Sequence, residues 1–75
     1  MLRKFEGTVT NHGLVAATVA GQFDEAQPHR GWFDWQGQHR FAEGQVYGLH
    51  LEDGRAYDIQ ITDVSGPRIK FEAIG

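Results

Sequence analysis

Val46-Tyr47-Gly48-Leu49-His50-Leu51, then Glu52-Asp53-Gly54-Arg55, then Ala56-Tyr57-Asp58-Ile59-Gln60-Ile61-Thr62-Asp63-Val64 is the stretch that decides the fold. Two alternating runs flank a turn signal, which is the pattern of a β-hairpin. A two-residue Asp53-Gly54 loop would set Leu49 across from Asp58 and split the apolar residues between two faces. A three-residue loop, a type I turn at Glu52-Asp53 closed by Gly54 in the left-handed region, instead pairs Leu49 with Tyr57 and Tyr47 with Ile59. That register gathers Tyr47, Leu49, Leu51, Tyr57, Ile59 and Ile61 on one face. Because a one-residue slip would turn the whole set to water, the sequence predicts the bulged form. Gly54→Val is then expected to cost on the order of 1–3 kcal/mol, more than Gly37→Val in what reads as a plain turn.

The segments before the hairpin alternate in the same way. Arg3 to Thr10 sets Phe5, Gly7 and Val9 against Lys4, Glu6, Thr8 and Thr10, a half-buried strand. Asn11-His12-Gly13 repeats the three-residue turn chemistry. Leu14 to Phe23 has the Ala and Leu of a short helix, but the β-branched Val15, Thr18 and Val19 and the flanking glycines favour a strand. Asp24 to His29 is a polar loop broken by Pro28. Arg30 to Trp35 reads as a short aromatic strand with Phe33 and Trp35 on one face and Trp32 and Asp34 on the other. Gln38 to Ala42 is expected to add another short strand carrying His39 and Phe41, and Glu43-Gly44 turns the chain into the hairpin. After it, Ser65-Gly66-Pro67 makes a tight connection into Arg68 to Ile74, where Ile69, Phe71 and Ala73 point inward.

Nearly every expected core residue carries an odd number: Phe5, Val9, Val15, Ala17, Val19, Phe23, Phe33, Trp35, Phe41, Tyr47, Leu49, Tyr57, Ile59, Ile61, Ile69 and Phe71. Odd-length loops carry that parity from strand to strand, so one continuous sheet has one buried face. With no segment of 3.6-residue apolar period to cover it, the sheet must curl on itself. The expectation is a single all-β domain over residues 1–75, a small, strongly bent antiparallel barrel or roll of about five to seven short strands in mainly meander order, of SH3-like or OB-like size.

Composition narrows the function classes. A chain of 75 residues has a core worth roughly 3–5 kcal/mol, so association with a second copy or a protein partner is a reasonable source of further stability. The net charge of −3, with both signs scattered, argues against a dedicated nucleic-acid or anionic-membrane surface. The absence of cysteine removes disulfides and thiolate metal sites, and the early polar residues lack the apolar run of a signal peptide, which gives a cytoplasmic expectation. His12, His29, His39 and His50 stand at no ligating spacing, and no nucleophile-base set or paired acids can be assembled. Neither catalysis nor a metal or other cofactor is expected. The informative stretch is Trp32-Phe33-Asp34-Trp35, flanked by His29-Arg30 and His39-Arg40. Trp32 breaks the parity rule together with Leu14, Val46, Val64 and Ile74, so it either lies on the outer face or plugs a barrel end. In the first case Trp32, Val46 and the stem of Arg40, with Arg30 and His39 nearby, form a protein-binding surface for a partner or a homodimer. The alternative is a nucleic-acid-binding face using Trp32, Arg30 and Arg40.

Overall fold

The computed structural model describes residues 2–24, 26 and 29–74. Among them six strands close an antiparallel barrel: β1 (Leu2–Asn11), β2 (Leu14–Asp24), β3 (Arg30–Asp34), β4 (Val46–Leu51), β5 (Ala56–Ser65) and β6 (Arg68–Ala73). The β4–β5 hairpin has the bulged form. Leu49 faces Tyr57 and Tyr47 faces Ile59, the Leu51 carbonyl accepts from the Gly54 amide at 3.0 Å, and Gly54 sits at φ +95°. Asp53 secures the turn by accepting from the Arg55 amide at 3.0 Å and its guanidinium at 2.8 Å, which holds the carboxyl below its usual range.

Leu14 to Asp24 is a strand, and its register explains one departure from the sequence reading. The β1–β2 turn has two residues, His12 at φ +53° and Gly13 at φ +79°, a type I′ geometry in place of the expected three-residue turn. An even loop would reverse the parity across the hairpin. A bulge restores it: Thr10 faces Val15 while Val9 faces Ala17, which makes Ala16 the extra residue. Val15, expected in the core, is therefore turned out and is 67% exposed. The β5–β6 connection does the same, with Gly66 (φ +60°) and Pro67 as a two-residue turn and Thr62 as the extra residue between the pairs Ile61–Phe71 and Asp63–Lys70.

The chain forms two three-stranded meanders, β1-β2-β3 and β4-β5-β6, that pair through β1 with β4 and β3 with β6. The segment between them, residues 35–45, crosses the upper end of the barrel. The expected strand from Gln38 to Ala42 does not form, because this segment finds its backbone partners one at a time: the Trp35 amide donates to the Pro67 carbonyl at 2.8 Å, the Gly44 amide to Ile61, and the Ile61 amide to Gln45. Phe41 is buried all the same, dropping from this segment onto Phe33 and Tyr47. Inside, Phe33, Phe71, Leu49, Ile59, Ile61 and Val9 are fully enclosed, each contributing on the order of 1.5–3 kcal/mol. The polar loop expected around Pro28 lies in part outside the described residues, Pro28 included. No helix of the described residues is long and apolar enough to cross a membrane.

Two glycines admit the bend. A Cβ at Gly31 would lie 2.6 Å from the Phe71 ring and 2.5 Å from the Gln22 carbonyl, and one at Gly21 would collide with the β3 backbone. Gly37 departs from its expected role as a plain turn residue, since a Cβ there would run into the Trp35 ring.

Candidate protein-binding wall

Alternation along β3 buries Phe33 and leaves Trp32 on the outer wall. The register then sets a transverse row, Lys4 on β1, Gln22 on β2, Trp32 on β3 and Lys70 on β6. On one side of it stand Glu6 with Ala20 and Asp34 with Arg68; on the other stand Leu2 with Asp24 and Arg30 with Glu72. Trp32 is half-buried and does not plug an end. The Arg68 guanidinium lies over its ring, 3.6 Å from the centroid, and Arg68 Nε donates to Asp34 Oδ1 at 2.8 Å. The carboxylate fixes the guanidinium and the guanidinium fixes the indole, worth about 0.5–1 kcal/mol at an exposed site. Two open grooves flank the ring. One, of about 450 Å³, runs over Ala20, Gln22 and Phe5 toward Glu52, and the other, of about 530 Å³, runs over Arg30, Lys70 and Thr62 toward Leu2.

The structure places the other sequence-derived candidates apart from Trp32, with one exception. Arg30 shares its wall and pairs with Glu72 at 3.6 Å. Val46, 51% exposed, stands on β4, which in the barrel order is as far from β3 as a strand can be, so the expected patch joining Trp32 to Val46 does not exist. The error has a plain cause: β3 and β4 are neighbours in sequence, yet β3 pairs with β6 and β4 with β1. Arg40 lies in the crossing segment, beside a cleft of about 470 Å³ at the upper end with Trp35, His39 and Val64.

His39 serves that end of the barrel. Tyr47 Oη donates to Gln45 Oε1 at 2.6 Å and meets His39 Nε2 at 2.9 Å. With its one hydrogen given to Gln45, Tyr47 accepts from the imidazole, which fixes the tautomer with the proton on Nε2. The Trp35 indole donates to the His39 carbonyl at 2.9 Å, and the Ala42 amide donates to the same Gln45 oxygen. This chain holds the crossing segment down, and burial raises the Tyr47 phenol above its usual range. Of the four histidines, His39 stands at the upper end, His29 stacks on Phe23 at the lower end, and His12 and His50 line one groove beside Val46 and Asp58. No metal-holding group of three or more His, Asp or Glu side chains forms among the described residues.

Sequence reasoning missed Arg68, Lys70, Lys4 and Gln22. The outward parity of Lys4, Gln22 and Lys70 was legible, but only the β2–β3 and β3–β6 pairings bring them to Trp32. Fold and site together define a small closed β-barrel with a tryptophan-centred, ion-paired outer wall. Comparison of the chain with known protein families, with curated proteins and with solved structures gives no match.

Proposed function

We propose that this protein is a small protein-binding module, with a binding rather than a catalytic role, and that it docks through the outer wall around Trp32. The observation that carries the reading is Trp32 itself: a large ring on the outside of the barrel, held by Arg68 and Asp34, with open grooves on both sides. Tryptophan and arginine side by side are the residues most often found as interface anchors, and a ring immobilised before binding loses little entropy on contact. The expected cytoplasmic setting and the need of a short chain for outside support belong to the same proposal.

A photo-crosslinking phenylalanine analogue in place of Gln22, next to Trp32, tests it, with the same analogue in place of Gln60 on β5 as the control. The expected result is a light-dependent protein adduct from position 22, identified by mass spectrometry, absent from position 60 and lost in Trp32→Ala. No adduct, or equal adducts from both positions, would overturn the reading. A nucleic-acid face on Trp32, Arg30 and Arg40 has the cation–aromatic pair in its favour. However, Arg30 is engaged by Glu72 and Arg40 stands on the upper end. That alternative requires a labelled single-stranded oligonucleotide to bind with an affinity that falls steeply with salt.

A further inference from the structure

We infer that the cleft at the upper end of the barrel is a second binding site, separate from the Trp32 wall, and that it takes a small carboxylate with an apolar body, held by Arg40. The first argument is charge. The two grooves beside Trp32 hold Glu6, Asp34 and Glu52 in one and Asp24 and Glu72 in the other, and the groove of His12 and His50 holds Asp58. The upper cleft has no acidic residue on its lining, on a chain whose net charge is −3. Arg40 lines it, and its guanidinium has no partner among the described residues, whereas Arg30, Arg55 and Arg68 each pair with a carboxylate. A cation left unpaired beside a lining free of acids attracts an anion, and the planar fork of a guanidinium matches the two oxygens of a carboxylate.

The second argument is the backbone. The crossing segment joins no ladder, so from Gln36 to Phe41 no main-chain N–H donates to an acceptor among the described residues. Gly37 to Phe41 line the cleft, which puts donors in need of partners beside Arg40. The third argument is the floor. Phe41 and Ile69, 8% and 3% exposed, reach into the cleft from the core, and Trp35 and Val64 line it with them. One cation and a run of amides above an apolar floor is the make-up of a small-molecule site, and about 470 Å³ falls within the roughly 300–1,000 Å³ of such sites. A bare phosphate would satisfy Arg40 and leave the floor uncovered, so the floor calls for an apolar body on the anion. The site is formed before binding, because Trp35, Gln45 and Tyr47 hold the crossing segment through His39 and Ala42.

Chemical-shift titration of the isotope-labelled protein tests the inference with N-acetyl-leucine, its carboxamide and inorganic phosphate. The expected result is saturable binding of N-acetyl-leucine with a dissociation constant on the order of 1 mM, as suits a ligand of about a dozen non-hydrogen atoms. The shifts should fall at residues 37–41, Val64 and Ile69 rather than at Trp32. The carboxamide should bind about tenfold or more weakly, and Arg40→Gln should weaken the acid by a similar factor, the scale of a lost charged hydrogen bond. Arg55→Gln, which makes the same change in charge on the β4–β5 turn, should leave binding as it is, and phosphate should bind more weakly than the acid. A pentapeptide ending in a free leucine carboxylate gives the source: tighter binding than N-acetyl-leucine assigns the ligand to a protein C-terminus, and equal or weaker binding assigns it to a free acid. No saturable shift, shifts centred on Trp32, equal binding of acid and carboxamide, or equal losses from the two arginine substitutions would overturn the inference. Phosphate binding as tightly as the acid would overturn the ligand class.

Discussion

Deleting Ala16 should leave the barrel standing. In the β1–β2 ladder Thr10 faces Val15 and Val9 faces Ala17, so removing the residue between Val15 and Ala17 converts a bulged hairpin into a regular one and leaves every other pair in register. The two-residue turn at His12-Gly13 already suits the regular form. What is lost is the local bend and the half-buried methyl group of Ala16, together about 1 kcal/mol. Deletion of His50 is the contrasting case, because β4 has no spare residue to absorb it. Either Leu51 must turn outward or Tyr47 and Leu49 must, and these three are 6%, 3% and 0% exposed. At about 1.5–3 kcal/mol for each apolar side chain brought out, the second choice takes most of the roughly 3–5 kcal/mol that a chain of this size has, and even the first takes a large part. Urea titrations followed by circular dichroism decide the matter. With a slope near 1 kcal/mol/M, the Ala16 deletion should move the midpoint by about 1 M, while the His50 deletion should lose most or all of the cooperative transition. If the Ala16 deletion unfolds the protein as completely as the His50 deletion does, the idea that the bulge serves as a parity correction is wrong.

Gly54→Val and Gly37→Ala should each cost about 1–3 kcal/mol for different reasons, a forbidden φ in one and a displaced Trp35 ring in the other; only the second should also shift the tryptophan emission. Gly31→Ala should destabilise by a similar amount by pushing the Phe71 ring, measurable as a lower urea midpoint, and an unchanged midpoint would refute the close approach. Tyr47 has a raised folded-state pKa, so its contribution is complete below the unfolded value near 10 and is lost as pH rises from there through the folded value. Midpoints measured at pH 8 and pH 11 should accordingly fall more for the wild type than for Tyr47→Phe.

Much of the barrel is readable in the amino-acid order alone, because strand alternation has a period of two and Gly54 names its own turn. Tyr47, Leu49, Leu51, Tyr57, Ile59 and Ile61 share a face in the sequence, and in the fold five of them line the interior while Tyr57 packs against it, partly buried. Val15 escaped because a bulge leaves no mark in a run such as Val15-Ala16-Ala17, where either alanine could be the extra one. Phe41 is buried without a strand to carry it, so the odd-number rule found the residue and the wrong local structure. The site was half legible. Parity left Trp32 either on the outer face or plugging a barrel end, and the company it keeps depends on β3 meeting β6, for no turn or spacing connects Asp34 to Arg68. Loop length says which strands follow one another, and Val46 shows that it does not say which ones touch.

The crossing segment at residues 35–45 also sets a timetable. The pairs that shut the barrel, Gly7 with Leu51 and Arg30 with Glu72, join partners more than half the chain apart, whereas each hairpin closes locally. During synthesis at about 5–20 residues per second, β1-β2-β3 must wait on the order of a few seconds for β4 and then β6 to emerge. Throughout that interval the nascent half-barrel presents two bare strand edges, with Phe33 and Val9 open to water, and a neighbouring copy of the same half offers those edges a ready mispartner.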